Sequence, residues 1–105
     1  MRKRKFIVVE DIQGNIRLRL GYPFYHRDLL YKNEDCLGGG EWDIDFDTKQ
    51  IKLFGKSDDF GAVNPKILQK AIDNINVHTS WQIEHIVESI YDIEIDLNDY
   101  SIIRL

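Results

Sequence analysis

The residues best suited to chemistry in this chain are a histidine and the two glycine-rich segments that follow it. His26 precedes three consecutive glycines at positions 38–40 and then a polar loop that runs from Gly55 to Gly61. An imidazole can accept a proton at neutral pH, which suits it to general-base catalysis. Three glycines in a row are costly to order, so they indicate a sharp turn or a close approach of the backbone to another group. Together these features are typical of an anion site that contains a general base.

Such a site needs cations and fixed hydrogen-bond donors as well as a base. Phosphoryl chemistry without a metal requires groups that position the phosphoryl, neutralise its charge and accept a proton or attack phosphorus. Backbone N–H groups in glycine-rich turns are fixed donors, a lysine supplies a point charge, and a hydroxyl supplies a further donor. The chain contains residues of each of these kinds, among them Ser57 in the second glycine-rich loop.

Alternating apolar residues predict the strands that position these groups. Residues 6–9 form a short β-branched run, which indicates a buried strand. Residues 16–20 alternate strictly, which predicts a half-buried strand with Arg17 and Arg19 on its wet face. The segment after His26 is long enough for about two helical turns, ending near residue 33.

A hairpin is predicted after the three glycines. Residues 41–47 alternate and place Trp42, Ile44 and Phe46 on the inward face, and a turn at 48–50 leads into a strand at 51–54. The aspartates at 43, 45 and 47 then share the opposite, solvated face, so no metal site is predicted from them.

Two helices and a last strand are predicted in the second half of the chain. Asn64-Pro65 is a favourable helix start, and apolar residues keep helical spacing to about residue 76. Ser80 can cap a second helix with an apolar stripe from Ile83 to Ile90. Residues 93–97 alternate as a final strand, followed by a turn at 98–100. This order of elements predicts an α/β or α+β domain with helices packed on a single-layer mixed sheet of about five to six strands.

Composition and charge limit the classes of protein to which the chain can belong. The 105 residues are expected to form a single domain, 1–105. The net charge is −4, although residues 1–32 carry eight arginines and lysines against three acidic residues. A basic end can attract a phosphorylated ligand, whereas the acidic remainder argues against nucleic-acid binding. We interpret residues 2–4 as a solvated tail. No apolar run approaches the ~20 residues of a membrane span, and the lone Cys36 fits a reducing, cytoplasmic setting.

The motifs together are similar to those of a known family. Tyr25-His26 is followed by Cys36-Leu37 and the three glycines, and then by the loop with Ser57. This arrangement resembles the protein histidine phosphatase (Janus) family of small phosphohistidine phosphatases. In that family Tyr-His precedes a helix, Cys-Leu-Gly-Gly-Gly opens a hairpin, and a Tyr-Gly-x-Ser-x-x-Tyr-Gly loop follows. Residues 93–100 are similar to the family's closing strand.

The resemblance implies roles for six residues and a metal-independent reaction without a cofactor. His26 would be the general base, or the group that receives the phosphoryl transiently. The implied substrate is a phosphorylated protein or peptide that carries phosphohistidine or phospholysine. The phosphate-binding residues implied by the match are Lys5, Arg27, Ser57, Asp58 and Asp59.

Three acidic residues distinguish this chain from the family pattern and favour a second hypothesis. Glu41 follows the glycines where the family has an arginine, and Asp58 and Asp59 lie in the phosphate loop. Carboxylates oppose an anion unless their side chains point away. The alternative is therefore a weak or inactive relative that binds a phosphorylated or acidic partner in the same cleft. A scaffold with no function in that cleft is a third hypothesis.

Overall fold

The computed structural model describes residues 3–75 and 99–105. Within those ranges the chain forms five strands, one α-helix and one 3₁₀ turn. The second helix and the last strand that the sequence predicts between residues 80 and 97 lie outside the described residues. The elements are β1 (Lys5–Glu10), β2 (Ile16–Gly21), the 3₁₀ turn (His26–Leu29), β3 (Asp35–Asp45), β4 (Gln50–Phe54), α1 (Pro65–Ile75) and β5 (Ser101–Arg104).

The five strands form one mixed sheet in the order β2-β1-β3-β4-β5. Neighbouring strands are antiparallel except for β4 and β5, which run parallel. The fold is therefore α+β with a mixed sheet, as the sequence predicts. β5 itself is not predicted, because its four residues contain only two consecutive isoleucines and no alternation.

One face of the sheet is covered by α1, whose start and apolar stripe agree with the prediction. The Asn64 Oδ1 atom accepts a hydrogen bond from the Lys66 amide at 2.9 Å, and Pro65 occupies the first helical position. In the part of the chain that is described, no helix is both long and apolar enough to cross a membrane. The buried core on this face comprises Phe6, Val8, Leu18, Leu20, Trp42, Ile51, Leu53, Val63, Leu68, Ala71, Ile72 and Ile75.

Among the described residues, loops cover the opposite face of the sheet. Because side chains alternate along a strand, Ile7 and Val9 of β1 point away from α1. They pack against Leu29 at the end of the 3₁₀ turn, with Phe60 and Cys36 at the margin of the cluster. This face is the one on which the sequence-predicted site residues meet.

Arg19 shows that the wet face predicted for β2 is wrong. The residue is 1% exposed, and its guanidinium pairs with the Glu34 carboxylate at 2.6 Å. Arg19 lies opposite Ile7 in the β1–β2 ladder, under the cover formed by residues 26–34. Alternation identifies the two faces of a strand but not what covers them, so the sequence did not indicate this ion pair.

The segment after His26 is also shorter in structure than predicted. It forms a single 3₁₀ turn and not two helical turns, because Leu30 is extended (φ −87°, ψ 127°) and Asn33 adopts a left-handed conformation (φ 68°). These two residues turn the chain directly into β3.

Two further predictions are wrong at residues near the end of β3. Phe46 was expected to face inward, but β3 ends at Asp45 and Phe46 is 40% exposed in the turn beyond it. Arg4 is not part of a solvated tail, because its Nη1 donates to Asp43 Oδ1 at 2.9 Å. Asp43 and Asp45 are exposed as predicted, and Asp45 accepts the backbone N–H of Asp47 within the turn.

Candidate functional site

His26 opens the 3₁₀ turn and lies against the centre of the sheet. It is 5% exposed, and its Nε2 atom lies 2.7 Å from the Gly40 carbonyl oxygen. A carbonyl oxygen can only accept a hydrogen bond, so Nε2 carries the proton and the neutral ring has its lone pair on Nδ1. Among residues 3–75 and 99–105, no group hydrogen-bonds to Nδ1. The histidine is therefore fixed through one nitrogen and keeps the other available as a base.

The three glycines lie inside β3 and allow His26 to approach the strand closely. A Cβ atom on Gly39 would lie 3.1 Å from His26 Cδ2 and 2.4 Å from the Phe6 carbonyl oxygen. A Cβ atom on Gly40 would lie 2.4 Å from the Phe54 carbonyl oxygen. The close approach that the sequence indicates is thus confirmed, whereas the predicted position of the glycines ahead of the strand is wrong.

A bulge at the start of the glycine run redirects β3. Val8 pairs with Gly38 and Val9 pairs with Cys36, so Leu37 is the extra residue. Gly38 has a φ of +132°, which a residue with a side chain rarely adopts. Beyond the bulge, the Gly39 amide donates to the Gly61 carbonyl at 3.0 Å and connects β3 to the second glycine-rich loop.

The loop of residues 57–61, called the 57–61 loop, is closed by its own hydrogen bonds. Ser57 and Gly61 exchange both backbone hydrogen bonds, at 3.3 and 2.8 Å. The Ser57 hydroxyl oxygen accepts the amides of Asp59 and Phe60, each at 3.1 Å, and Ser57 is 2% exposed. Ser57 therefore fixes the shape of the loop from within, and the predicted contact between its hydroxyl and phosphate stays a prediction.

Lys5 reaches the segment that leads into His26. Its Nζ donates to the carbonyl oxygens of Phe24 at 2.5 Å and Pro23 at 3.4 Å. An ammonium group has three donors, so one N–H remains for a ligand while two hold the backbone immediately before the 3₁₀ turn. Lys5 thus contributes both to the position of His26 and to the charge beside it.

A surface cleft of about 430 Å³ brings most of these residues together. Five of the six predicted site residues line it, whereas Ser57 lies below its surface. Lys3, Phe24 and Lys56 are additional lining residues that motif reasoning missed, because nothing in their sequence context distinguishes them from exposed residues. The lining residues are Lys3, Lys5, Phe24, Tyr25, His26, Arg27, Glu41, Lys56, Asp58 and Asp59.

The cleft has a mixed electrostatic character. Four cationic side chains face three carboxylates, so the cationic excess is small when His26 is neutral. Arg27 lies over the Tyr25 ring at 4.2 Å and forms a loose, exposed pair with Asp59 at 3.8 Å. Glu41 lies opposite Lys5 in the β1–β3 ladder. Exposed pairs of this kind contribute about 0–1 kcal/mol, so an anionic ligand can displace them.

More than half of the chain matches the model of a known protein family. The family model described as Janus/Ocnus family (Ocnus) matches residues 25–82, which is more than half of the 105 residues. The chain belongs to the Janus/Ocnus family. The match begins at Tyr25, next to His26, and includes all three glycines and the 57–61 loop, so the Janus/Ocnus region contains most of the cleft. The search of curated proteins found no significant match.

Outside the cleft, the described residues of this Janus/Ocnus chain offer little other chemistry. No group of three or more His, Cys, Asp or Glu side chains within residues 3–75 and 99–105 is arranged to hold a metal ion. Burial raises the pKa of the Cys36 thiol, with a further contribution from the negative charge of Glu34. The thiol is therefore a weak nucleophile at neutral pH, and His26 is the described group best placed to react.

Proposed function

We propose that the protein is a phosphatase that hydrolyses phosphohistidine or phospholysine in proteins or peptides, with His26 as general base and no metal ion. The observation that carries this proposal is the environment of His26. Its Nε2–H donates to the Gly40 carbonyl, so the neutral ring has a lone pair on Nδ1, and the residue lines a cleft that contains four cations. A base beside a cationic phosphate site is what metal-independent phosphoryl transfer to water requires.

The proposed reaction uses Nδ1 to activate the nucleophile. A water molecule attacks phosphorus and gives its proton to His26 Nδ1, so that an O–P bond forms as the N–P bond breaks. The electron pair of the N–P bond goes to the leaving nitrogen, which takes up a proton. In the second route that the sequence leaves open, Nδ1 itself attacks phosphorus and water then cleaves the phosphorylated imidazole. Both routes need an unprotonated Nδ1 that points to phosphate.

The cations of the cleft supply the charge that such a reaction needs. Lys5 has one donor left after it binds the carbonyls of Pro23 and Phe24. Lys3 and Lys56 line the same cleft, and Arg27 can exchange its loose pair with Asp59 for two parallel hydrogen bonds to phosphate. The Asp58 amide, which has no hydrogen-bond partner among the described residues, is the backbone donor of the 57–61 loop that can serve a phosphoryl oxygen.

The test is phosphate release from a phosphohistidine peptide in the presence of a chelator. We expect the natural chain to release phosphate and His26→Ala to reduce the rate by about 10²–10⁴-fold, the range typical for loss of a general base. Lys66→Ala is the matched control, because Lys66 is an exposed cation at the start of α1, outside the cleft. Undiminished release by His26→Ala would remove the proposed role of this residue.

A second candidate function is binding of a phosphorylated partner without turnover. The three carboxylates in the cleft favour it, because Glu41, Asp58 and Asp59 would oppose the negative charge that develops on the transferring phosphoryl group. In that case the natural chain would bind a phosphopeptide saturably and release no phosphate even at high protein concentration. Release that depends on His26 would exclude this candidate.

A further inference from the structure

Arg19 is a buried cation in a position that strand alternation assigns to solvent. It is 1% exposed and lies on the sheet face that carries His26, opposite Ile7 of β1. Transfer of a guanidinium from water to such a position costs several kcal/mol unless it is paired and hydrogen-bonded. Three residues of the segment that begins with His26 engage the guanidinium: Leu29, Tyr31 and Glu34.

The contacts of Arg19 fasten that segment at two points. Its Nη1 and Nη2 atoms donate to the two oxygens of Glu34, at 2.6 and 2.7 Å. Nη1 also donates to the Leu29 carbonyl oxygen at 2.8 Å, and the guanidinium lies 4.0 Å from the centre of the Tyr31 ring. Glu34 in turn accepts the Tyr31 amide at 2.7 Å. Leu29 is the last residue of the 3₁₀ turn, so the guanidinium binds its end directly.

The charge state of this ion pair is stable at neutral pH. Burial alone would raise the pKa of Glu34, but the hydrogen bonds from Arg19 and from the Tyr31 amide outweigh that effect. The positive charges of Arg19 and Arg17 act in the same direction, so the pKa lies below its usual value. Glu34 is therefore ionised at neutral pH.

The 3₁₀ turn is short, so contacts from outside it add to its own few hydrogen bonds. A helix of four residues gains few hydrogen bonds for the dihedral angles that it fixes. His26 is bound at the start of the turn by one hydrogen bond to Gly40, and Arg19 binds the end. A buried ion pair is a poor source of stability compared with apolar residues of similar volume. The planar, bidentate geometry of an arginine–carboxylate pair does, however, fix the orientation of the guanidinium.

We propose that Arg19, held by Glu34, is a positioning residue for His26. By fixing the Leu29 carbonyl it sets the orientation of the 3₁₀ turn and keeps the His26 Nε2–H directed at Gly40, which leaves Nδ1 toward the cleft. The kinetic consequence rests on the proposed function of His26, whereas the structural consequence does not.

The main test is the double variant Arg19→Met with Glu34→Leu, which replaces the ion pair by apolar side chains and leaves no buried charge. We expect it to fold, because apolar replacement of a buried pair is often neutral or stabilising. We expect kcat to fall by about 10- to 100-fold, the loss typical of a base displaced by about 1 Å, with KM changed less than twofold. Lys52→Met is the matched control, because Lys52 is a half-buried cation of β4 that does not line the cleft.

A second readout does not depend on activity. The His26 Nε2–H proton, held by the Gly40 carbonyl, should give a slowly exchanging imidazole resonance by NMR in the natural chain and in Lys52→Met, but not in the double variant. If the double variant does not fold, Arg19→Lys serves instead, because lysine keeps the positive charge but cannot form the two parallel hydrogen bonds to the Glu34 carboxylate. It should then show a weakened resonance.

The outcomes separate this proposal from the proposed function. If the natural chain releases no phosphate, the proposed function fails, and the Nε2–H resonance alone decides whether Arg19 positions His26. A folded double variant with the natural kcat and an unchanged resonance would overturn the positioning role.

Discussion

Replacement of Gly39 by alanine tests how closely the glycine run controls the position of His26. The added Cβ would lie 2.4 Å from the Phe6 carbonyl oxygen and 3.1 Å from His26 Cδ2. Carbon–oxygen contacts between strands are ordinarily about 3.3–3.6 Å, so β3 must move from β1 by roughly 1 Å. Gly39 does not have a positive φ, so alanine meets no backbone strain there and the effect is purely steric.

The expected magnitude follows from the steric conflict. Overpacking of this kind costs about 1–3 kcal/mol, partly offset by about 0.4–1 kcal/mol because alanine restricts the unfolded chain. A net loss of about 1–2 kcal/mol lowers Tm by roughly 4–16 °C for a domain of this size. Displacement of the His26 ring by a comparable distance should reduce kcat/KM by about 100-fold.

Gly14→Ala separates loss of stability from displacement of His26. Gly14 has a φ of +82° with no atom within 4 Å of a Cβ, so alanine there costs about 1–2 kcal/mol through backbone strain alone. Thermal unfolding should show similar losses for both variants, whereas phosphate release should fall only for Gly39→Ala. Equal activity of the two variants, or natural stability of Gly39→Ala, would refute the reasoning.

Three further predictions concern charges in and behind the cleft. Glu41→Arg should tighten the binding of inorganic phosphate about three- to tenfold at low salt, because a charge change at a half-exposed site is worth roughly 1 kcal/mol. Titration calorimetry measures the affinity, and that of Glu41→Gln should lie between those of the natural chain and Glu41→Arg. Lys5→Met should weaken phosphate binding more than Lys66→Met, as amide chemical shifts in the 57–61 loop would show. The pKa of Glu34 is lowered in the folded state, so ionised Glu34 adds to the free energy of unfolding above the usual glutamate pKa. This stabilisation is lost as the pH falls through the lowered pKa. Urea unfolding between about pH 3 and pH 7 should therefore show a smaller loss of stability on acidification for Glu34→Gln than for the natural chain. The same pH dependence in both proteins would contradict the stabilising role of ionised Glu34.

The fold was predictable where periodicity is strong and local. Alternation in β2 and β4 and the capped apolar stripe of α1 determine those elements without tertiary information. The start of β3 was not predictable, because glycine opposes a strand by intrinsic preference. At Gly39 and Gly40 glycine is required by the closeness of neighbouring carbonyl oxygens, which only the assembled sheet reveals.

The residues that line the cleft were partly predictable, whereas their organisation was not. The motif around His26, the 57–61 loop and the lysine at the start of β1 supplied five residues that line one cleft. The sequence contained no signal for the pairing of Arg19 with Glu34, since the two residues are fifteen positions apart and belong to a strand and a turn. The inward direction of the Ser57 hydroxyl was equally hidden, because a phosphate-binding loop and a self-capped loop use the same residue types.

The central claim is that the unprotonated Nδ1 of His26 is the reactive group, and the pH dependence of turnover tests it most directly. We would follow protonation of the His26 ring by NMR and measure kcat/KM for a phosphohistidine peptide over the same pH range, with chelator present. We expect kcat/KM to fall toward low pH together with the fraction of unprotonated His26, and the neutral ring to carry its proton on Nε2. Full activity with a protonated His26, or a neutral ring with its proton on Nδ1, would contradict it.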